Sequence, residues 1–170
     1  VGLVPGAGGL AYIARRAAEN SATSTDKDLL KFVTEGFTAA AMAKVGTSAI
    51  ESRKIGYLLD SDIIVPNKDE LLFVALNEAK AMFNAGYRPP HRRKFPVAGR
   101  NGKATIQGQL VNMRDGGFIS AHDFFIASLI AGVVTGGDVD TNTMVTEEYV
   151  MTLERQAFCG LLNHPRRRSA

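Results

Sequence analysis

The stretch that decides the fold of this chain is VGLVPGAGGLA, which occupies residues 1–11. Residues 1–4 are apolar and predict the end of a β-strand, so we expect the chain to begin inside a folded element. Residues 5–9 form a glycine-rich turn, and a helical pattern follows from residue 10 to residue 19. A strand, a turn and a helix start bring several backbone N–H groups together at the positive end of a helix dipole. The sequence therefore predicts a site for a phosphate, an oxyanion or a polarised water at this turn.

The composition is that of a globular domain, with 45% hydrophobic and 22% charged residues among 170. The single cysteine, Cys159, excludes an internal disulfide and favours a reducing compartment, so we expect a cytoplasmic protein in which this thiol is buried. The longest apolar run, residues 124–134, is shorter than the roughly 20 residues that span a bilayer. A net charge of +3 suits a small anionic ligand as well as it suits nucleic acid, and solvated surface is its simpler interpretation. We expect neither a membrane span nor a nucleic-acid partner.

The remainder of the pattern is mostly helical. Ser48 and Glu51 have the spacing of a capping box, which opens a short helix that ends at Gly56. Short β-type runs are expected at residues 57–59 and 63–65, and a linker or lid at residues 88–103, which are rich in Pro, Gly and Arg. Longer helices are expected at residues 26–44, 67–86, 104–113, 120–134 and 145–162. The predicted fold class is mainly α with short β-strands.

The glycine-rich turn allows a dinucleotide-binding interpretation. Gly6, Gly8 and Ala11 fit the G-x-G-x-x-G/A spacing. That fingerprint also needs a second strand that ends in an acidic residue about 20 positions later. Asp26 and Asp28 instead stand where a helix begins, so a nicotinamide-dinucleotide-binding module is the weaker alternative.

A resemblance to the enoyl-CoA hydratase/isomerase (crotonase) family rests on two stretches in the right order. These are GLVPGAGG at residues 2–9 and AKVGTSAIESRKIGYLLDSDIIVP at residues 43–66. Three later stretches, at residues 86–90, 112–139 and 147–158, are similar to the tail of fused 3-hydroxyacyl-CoA dehydrogenase/enoyl-CoA hydratase proteins of fatty-acid β-oxidation. The resemblance covers almost the whole chain.

The resemblance implies the C-terminal fragment of a crotonase-type ββα spiral, with the end of the core at residues 1–66 and a helical region at residues 67–170. It implies a hydro-lyase that hydrates trans-2-enoyl-CoA, with a coenzyme A thioester as substrate, no metal and no cofactor in this chain. NAD would belong to a fused dehydrogenase domain upstream. The family's catalytic glutamates would lie before Val1, so we expect the chain to be inactive by itself.

The site residues that the resemblance implies are few. The backbone N–H of Gly6 would help to hold the water that adds to the double bond, and Ala7, Gly8 and Gly9 would form the substrate-binding turn around it. The expected partners are acyl-CoA, the upstream part of the same polypeptide and further copies of the chain in a homo-oligomer.

A different class of function is also open. Apolar faces on the last three predicted helices favour a helical docking or oligomerisation module. His91, His122 and His164 have no metal-ligand spacing, and His122 with Asp123 is expected to serve at a helix start. The basic cluster Arg92–Lys94 could meet the phosphates of coenzyme A, although solvated surface is its simpler interpretation.

Overall fold

The computed structural model of the chain describes residues 3–89, 91 and 93–163. Most of these residues are helical, which confirms the predicted fold class. The elements in chain order are α1 (Gly9–Thr23), α2 (Leu29–Ala41), α3 (Ala49–Ile55), a 3₁₀ turn (Lys68–Glu70), α4 (Leu71–Asn84), β1 (Phe95–Pro96), α5 (Gly99–Asp115), α6 (Ala121–Val134), β2 (Met144–Val145) and α7 (Glu147–Leu162).

The chain forms two compact units. The first contains residues 1–44 and 93–170, and the second contains residues 45–92. The domain boundary expected after residue 66 falls inside the second unit. Each unit is described separately below.

The core of the first unit lies where α1 packs against α2, α6 and α7. Helix α1 buries Leu10 together with four alanines, which are Ala11, Ala14, Ala17 and Ala18. Small side chains allow neighbouring helices to approach closely. Gly36 of α2 also allows a close approach to α1, because a Cβ built on Gly36 would lie 2.5 Å from Cγ2 of Ile13. Helix α6 is apolar on nearly every side and supplies the centre of this core.

A short antiparallel pair joins two distant parts of the first unit. Phe95 lies opposite Val145 and Pro96 opposite Met144, and the hydroxyl of Thr141 donates a hydrogen bond to the carbonyl of Ala98 at 3.0 Å. Residues 95–96 form β1 and residues 99–103 begin α5, and the linker or lid expected at residues 88–103 stays a prediction. The pairing partner of β1 lies about fifty residues away along the chain, so the local composition could not indicate it.

In the second unit, residues 57–59 and 63–65 form turns and extended segments without strand pairing. The short strands expected there are therefore wrong. The guanidinium of Arg53 donates to the carbonyls of Leu59 and Asp62 at 3.1 and 2.6 Å. The N–H of Leu59 donates to the Asp62 carboxylate at 2.8 Å. Because side chains satisfy these backbone groups, the segment needs no strand partner.

Several helix ends were predictable from the sequence, and others were not. Ser48 caps α3 through the N–H of Glu51, and Gly56 ends this helix in the left-handed region, as expected. Glu51 reaches the N–H of Thr47 instead of closing the capping box on Ser48.

Two further expectations are corrected. Leu3 and Val4 form no strand, and residues 1 and 2 lie outside the described part. Cys159 is exposed, so its expected burial is wrong.

Gly136 gives a test of this packing. Its φ is +84°, and a Cβ there would meet Val97 Cγ2 at 2.5 Å, so alanine would be strained by both backbone and contact. We expect Gly136→Ala to lower the free energy of unfolding by about 2–4 kcal/mol. Gly108, inside α5 with open space around it, is the matched control: Gly108→Ala should raise that free energy by about 0.5–1 kcal/mol. Urea denaturation followed by circular dichroism measures both, and equal effects would contradict the packing described.

Candidate functional site

The glycine-rich turn is folded as the sequence requires. Ala7 and Gly8 have φ values of +59° and +87°, and the N–H of Gly9 donates to the carbonyl of Gly6 at 3.2 Å. Two successive positive φ values inside a hydrogen-bonded four-residue turn are typical of a type I′ turn. Helix α1 begins at once after it, with Gly8 as its N-cap and no capping side chain from its own sequence neighbourhood. The N-terminal N–H groups of α1 therefore need an acceptor from elsewhere.

Glu154 of α7 is that acceptor. The N–H of Gly8 donates to its Oε1 at 2.7 Å and the N–H of Leu10 donates to its Oε2 at 3.0 Å. The Glu154 side chain is buried, with the residue 4% exposed. Both oxygens thus meet backbone donors at the positive end of α1, which offsets the cost of burying a carboxylate. The anion that the sequence predicts at this turn is one of the chain's own side chains.

Sequence reasoning missed Glu154, although the pattern of α7 carried a signal. Val150, Ala157 and Leu161 form the buried face of the helix, and Glu154 lies on that same face, four residues after Val150 and three before Ala157. A single acid on an otherwise apolar helical face needs a buried partner. The adjacent Glu147 and Glu148 occupy the first turn of α7, as expected for carboxylates that favour the helix dipole.

A cavity of about 320 Å³ opens beside the turn. It is lined by Gly6, Ala7, Glu154, Arg155, Phe158 and Cys159. The lining offers the rim of the Glu154 carboxylate, a thiol and a guanidinium, but no second carboxylate for paired acid–base work. The arrangement can bind a small group.

The predicted site residues meet here in part. Gly6 and Ala7 stand at the mouth of the cavity, whereas Gly8 and Gly9 form the start of α1. The proposed water-holding role of Gly6 stays a prediction. The donors of the turn that meet an anion are the N–H groups of Gly8 and Leu10, and that anion is the carboxylate of Glu154.

Of the other residues singled out in the sequence, Cys159 lines this cavity, whereas Asp123 serves the start of another helix. Asp123 closes a capping box with Ser120 at the start of α6, and hydrogen bonds from the Ser120 hydroxyl and N–H hold the pKa of this carboxyl below its usual range. Arg92 and His164 lie outside the described residues. Within the described part of the chain, no three His, Cys, Asp or Glu side chains gather as metal ligands, and no helix has the length and apolar character to cross a membrane.

Comparison with known proteins finds one curated relative at a stringent threshold. The chain is 37% identical over 161 residues to a Bacillus subtilis protein named "Probable 3-hydroxyacyl-CoA dehydrogenase". The alignment covers 95% of this chain but 20% of the relative, so the chain spans about a fifth of the relative's length. No known family model matches the chain, and no solved structure matches it.

This comparison corrects the expected activity. The relative is named as a dehydrogenase, which is an oxidoreductase, so the predicted enoyl-CoA hydratase and hydro-lyase is wrong. The dehydrogenase side of the resemblance is supported, and the crotonase side is not. The misleading signal was the glycine-rich turn, because backbone N–H groups at the start of a helix suit many anions and therefore many chemistries.

The Glu154 contact can be tested by truncation. We expect Glu154→Ala to lower the free energy of unfolding by about 3 kcal/mol, because two partly or fully buried N–H groups lose a charged acceptor. Glu154→Gln keeps one oxygen acceptor and should cost about 1–2 kcal/mol. Glu147→Ala on the exposed first turn of α7 is the control and should cost less than about 1 kcal/mol. If chemical denaturation gives Glu154→Ala and Glu147→Ala the same stability, the buried contact is not formed in solution.

The same contact predicts how the turn treats a dinucleotide. A pyrophosphate at the start of α1 would compete with Glu154 for the same donors, so we expect no saturable binding of NADH at micromolar concentrations. Nicotinamide fluorescence during titration of the chain measures this. Saturation by the unmodified chain would restore the dinucleotide interpretation, and Glu154→Gln is the companion variant that shows whether the carboxylate blocks the site.

Proposed function

We propose that this chain is a helical association module of a longer protein related to 3-hydroxyacyl-CoA dehydrogenases, and that it acts by docking and not by catalysis. The relative's name supports an acyl-CoA context, and the resemblance to fused β-oxidation proteins agrees with it. The glycine-rich turn supports a structural role, because its donors serve Glu154. On this proposal, acyl-CoA chemistry and any NAD belong to other parts of the longer protein, which would be partners of this chain.

The observation that carries the proposal is helix α4. None of its residues is buried, although it is one of the most apolar segments of the chain. Leu72 is 69% exposed and Phe83 is 84% exposed. Large exposed apolar side chains on α4 and the turn after it are Leu71, Leu72, Phe73, Leu76, Met82, Phe83 and Tyr87. A contiguous apolar surface of this kind marks an interaction site.

We propose that a second copy of this chain packs on the apolar face of α4. Leu72, Leu76, Ala79 and Phe83 follow one another at spacings of four, three and four residues, which is the seam that two packed helices share. The small Ala79 lies near the middle, where helices can approach closely. Charge does not oppose pairing, because α4 carries a single acid, Glu78, and a single base, Lys80.

The exposed apolar area of α4 agrees with a second copy of the chain as the partner. The exposed apolar side chains of α4 and Tyr87 together offer an area on the order of 800 Å², which is about what each partner contributes to a stable interface of standard size. An isolated helix of this length is marginal in water, so a packed neighbour also favours its folding.

The association is tested by placing a charge in the seam. We expect the chain to self-associate with a concentration dependence, and Leu76→Glu to weaken association by at least about tenfold, because a carboxylate cannot be buried there unpaired. Gln109→Glu on the exposed face of α5 adds the same charge elsewhere and should change nothing. Sedimentation velocity across a concentration series gives the result.

Two outcomes would overturn the choice of a second copy. One is equal association of Leu76→Glu and the unmodified chain, which would place the contact away from α4. The other is a monomer at all concentrations; strong hydrogen-exchange protection of α4 in that monomer would show that the helix packs within its own chain instead.

A further inference from the structure

The geometry points to a second binding site in the first unit, a groove along α6 that takes a small straight-chain monocarboxylate. The groove has a volume of about 430 Å³ and lies between α5 and α7. We call it the α6 groove. It is separate from the cavity at the glycine-rich turn, and it shares no residue with α4. The inference does not rest on the proposed association.

The floor of the α6 groove is one stripe of α6. Phe125, Ser128, Leu129, Gly132 and Val133 recur at the spacing that places residues on one helical face. Ser128 and Gly132 are small, so they provide depth where the flanking Phe125 and Leu129 provide apolar walls. Leu153 and Ala157 of α7 close the other side. An apolar chain laid along this stripe would bury its methylene groups against these side chains.

The side chain of Lys103 lies over the floor of the α6 groove and forms no ion pair with a described residue. Lys103 of α5 lines the groove and is half-buried. Its stem lies over α6, since a Cβ built on Gly132 would be 4.0 Å from Lys103 Cε. The ion pairs found in the described part of the chain do not include Lys103, and no acidic residue lines the groove. The ammonium group is therefore available to an external anion.

A second polar group also lacks a partner. The Ser128 hydroxyl oxygen is buried and forms no hydrogen bond with any described residue. A buried hydroxyl without a partner is costly, and a ligand in the groove reaches this oxygen once the Ser128 side chain turns to another rotamer. Gln107 and Gln156 add amide groups at the edges. The groove thus combines an apolar floor with one positive charge and a few convergent polar groups, which is the usual make-up of a small-ligand site.

These features select the ligand class. The positive Lys103 and the absence of acids select an anion, and the apolar stripe selects a straight hydrocarbon chain. The volume lies at the lower end of the range for small-molecule sites, which is enough for a medium-chain monocarboxylate. A carboxylate pairs with a lysine as a charge-assisted hydrogen bond.

The test uses octanoate as the probe on the full 170-residue chain, below its micelle concentration, by isothermal titration calorimetry. Octanoate should bind saturably, octanol several-fold more weakly and octylamine without saturation, because Lys103 favours a negative head group. Hexanoate should be about fivefold to tenfold weaker than octanoate, since two fewer methylene groups are buried.

Variants locate the binding. Lys103→Met keeps the apolar stem and removes the charge, so it should weaken octanoate about tenfold and leave octanol unchanged. Gly132→Leu should fill the floor and abolish both. Lys80→Met in α4 removes a lysine outside the groove and is the matched control. Lys103→Glu should bind octylamine in place of octanoate, a gain that an unfolded variant could not show.

Equal affinity for octanoate and octanol in the unmodified chain would overturn the inference, as would unchanged octanoate binding by Lys103→Met or by Gly132→Leu. Binding that Leu76→Glu abolishes would assign the octanoate to the apolar surface of α4 and also overturn it. Retained binding by Leu76→Glu supports the α6 groove whether or not α4 mediates association.

Discussion

The contact between Glu154 and the start of α1 is the constraint on which the first unit depends. It joins Gly8 to a residue 146 positions later, and thereby brings the beginning of the chain onto its last helix. The buried carboxylate is tolerable because two backbone donors and the dipole of α1 face it, and those donors are satisfied because the carboxylate is there. Each half of the contact would be costly without the other, which makes the pair a strong determinant of how α1 and α7 pack.

The same contact decides the chemistry of the glycine-rich turn. A turn of this kind can hold a phosphate, an oxyanion or a water, and its sequence does not distinguish among them. Here an internal anion has taken the donors, so the turn joins two helices. The hydratase interpretation relied on the turn as a feature of one reaction, whereas the relative at 37% identity is named as a dehydrogenase. A motif made of backbone groups is weak support for one activity, because any acceptor of suitable size can use it.

The proposals made above rest on the apolar surfaces of two helices, α6 and α4. Helix α6 is apolar on nearly every side, and the core covers most of it while leaving a groove beside Lys103. Helix α4 is less apolar than α6 and carries Glu78 and Lys80, yet most of its side chains are apolar and none of its residues is buried. This exposure is the basis of the proposed association, because the hydrophobic effect disfavours leaving so much apolar surface in water.

Helical periodicity and end signals such as Ser48 and Gly56 are local, so the mainly helical fold class and the approximate positions of most helices could be predicted from the sequence. The pairing of Phe95 with Val145, the loop held by Arg53 and the partner of the glycine-rich turn could be seen only in the folded chain. The two pairings join residues far apart in the chain, and the Arg53 loop depends on one side chain reaching backbone carbonyls beyond its own helix. Local sequence patterns indicate which groups need a hydrogen-bonding or packing partner, but only the fold determines which residue becomes that partner.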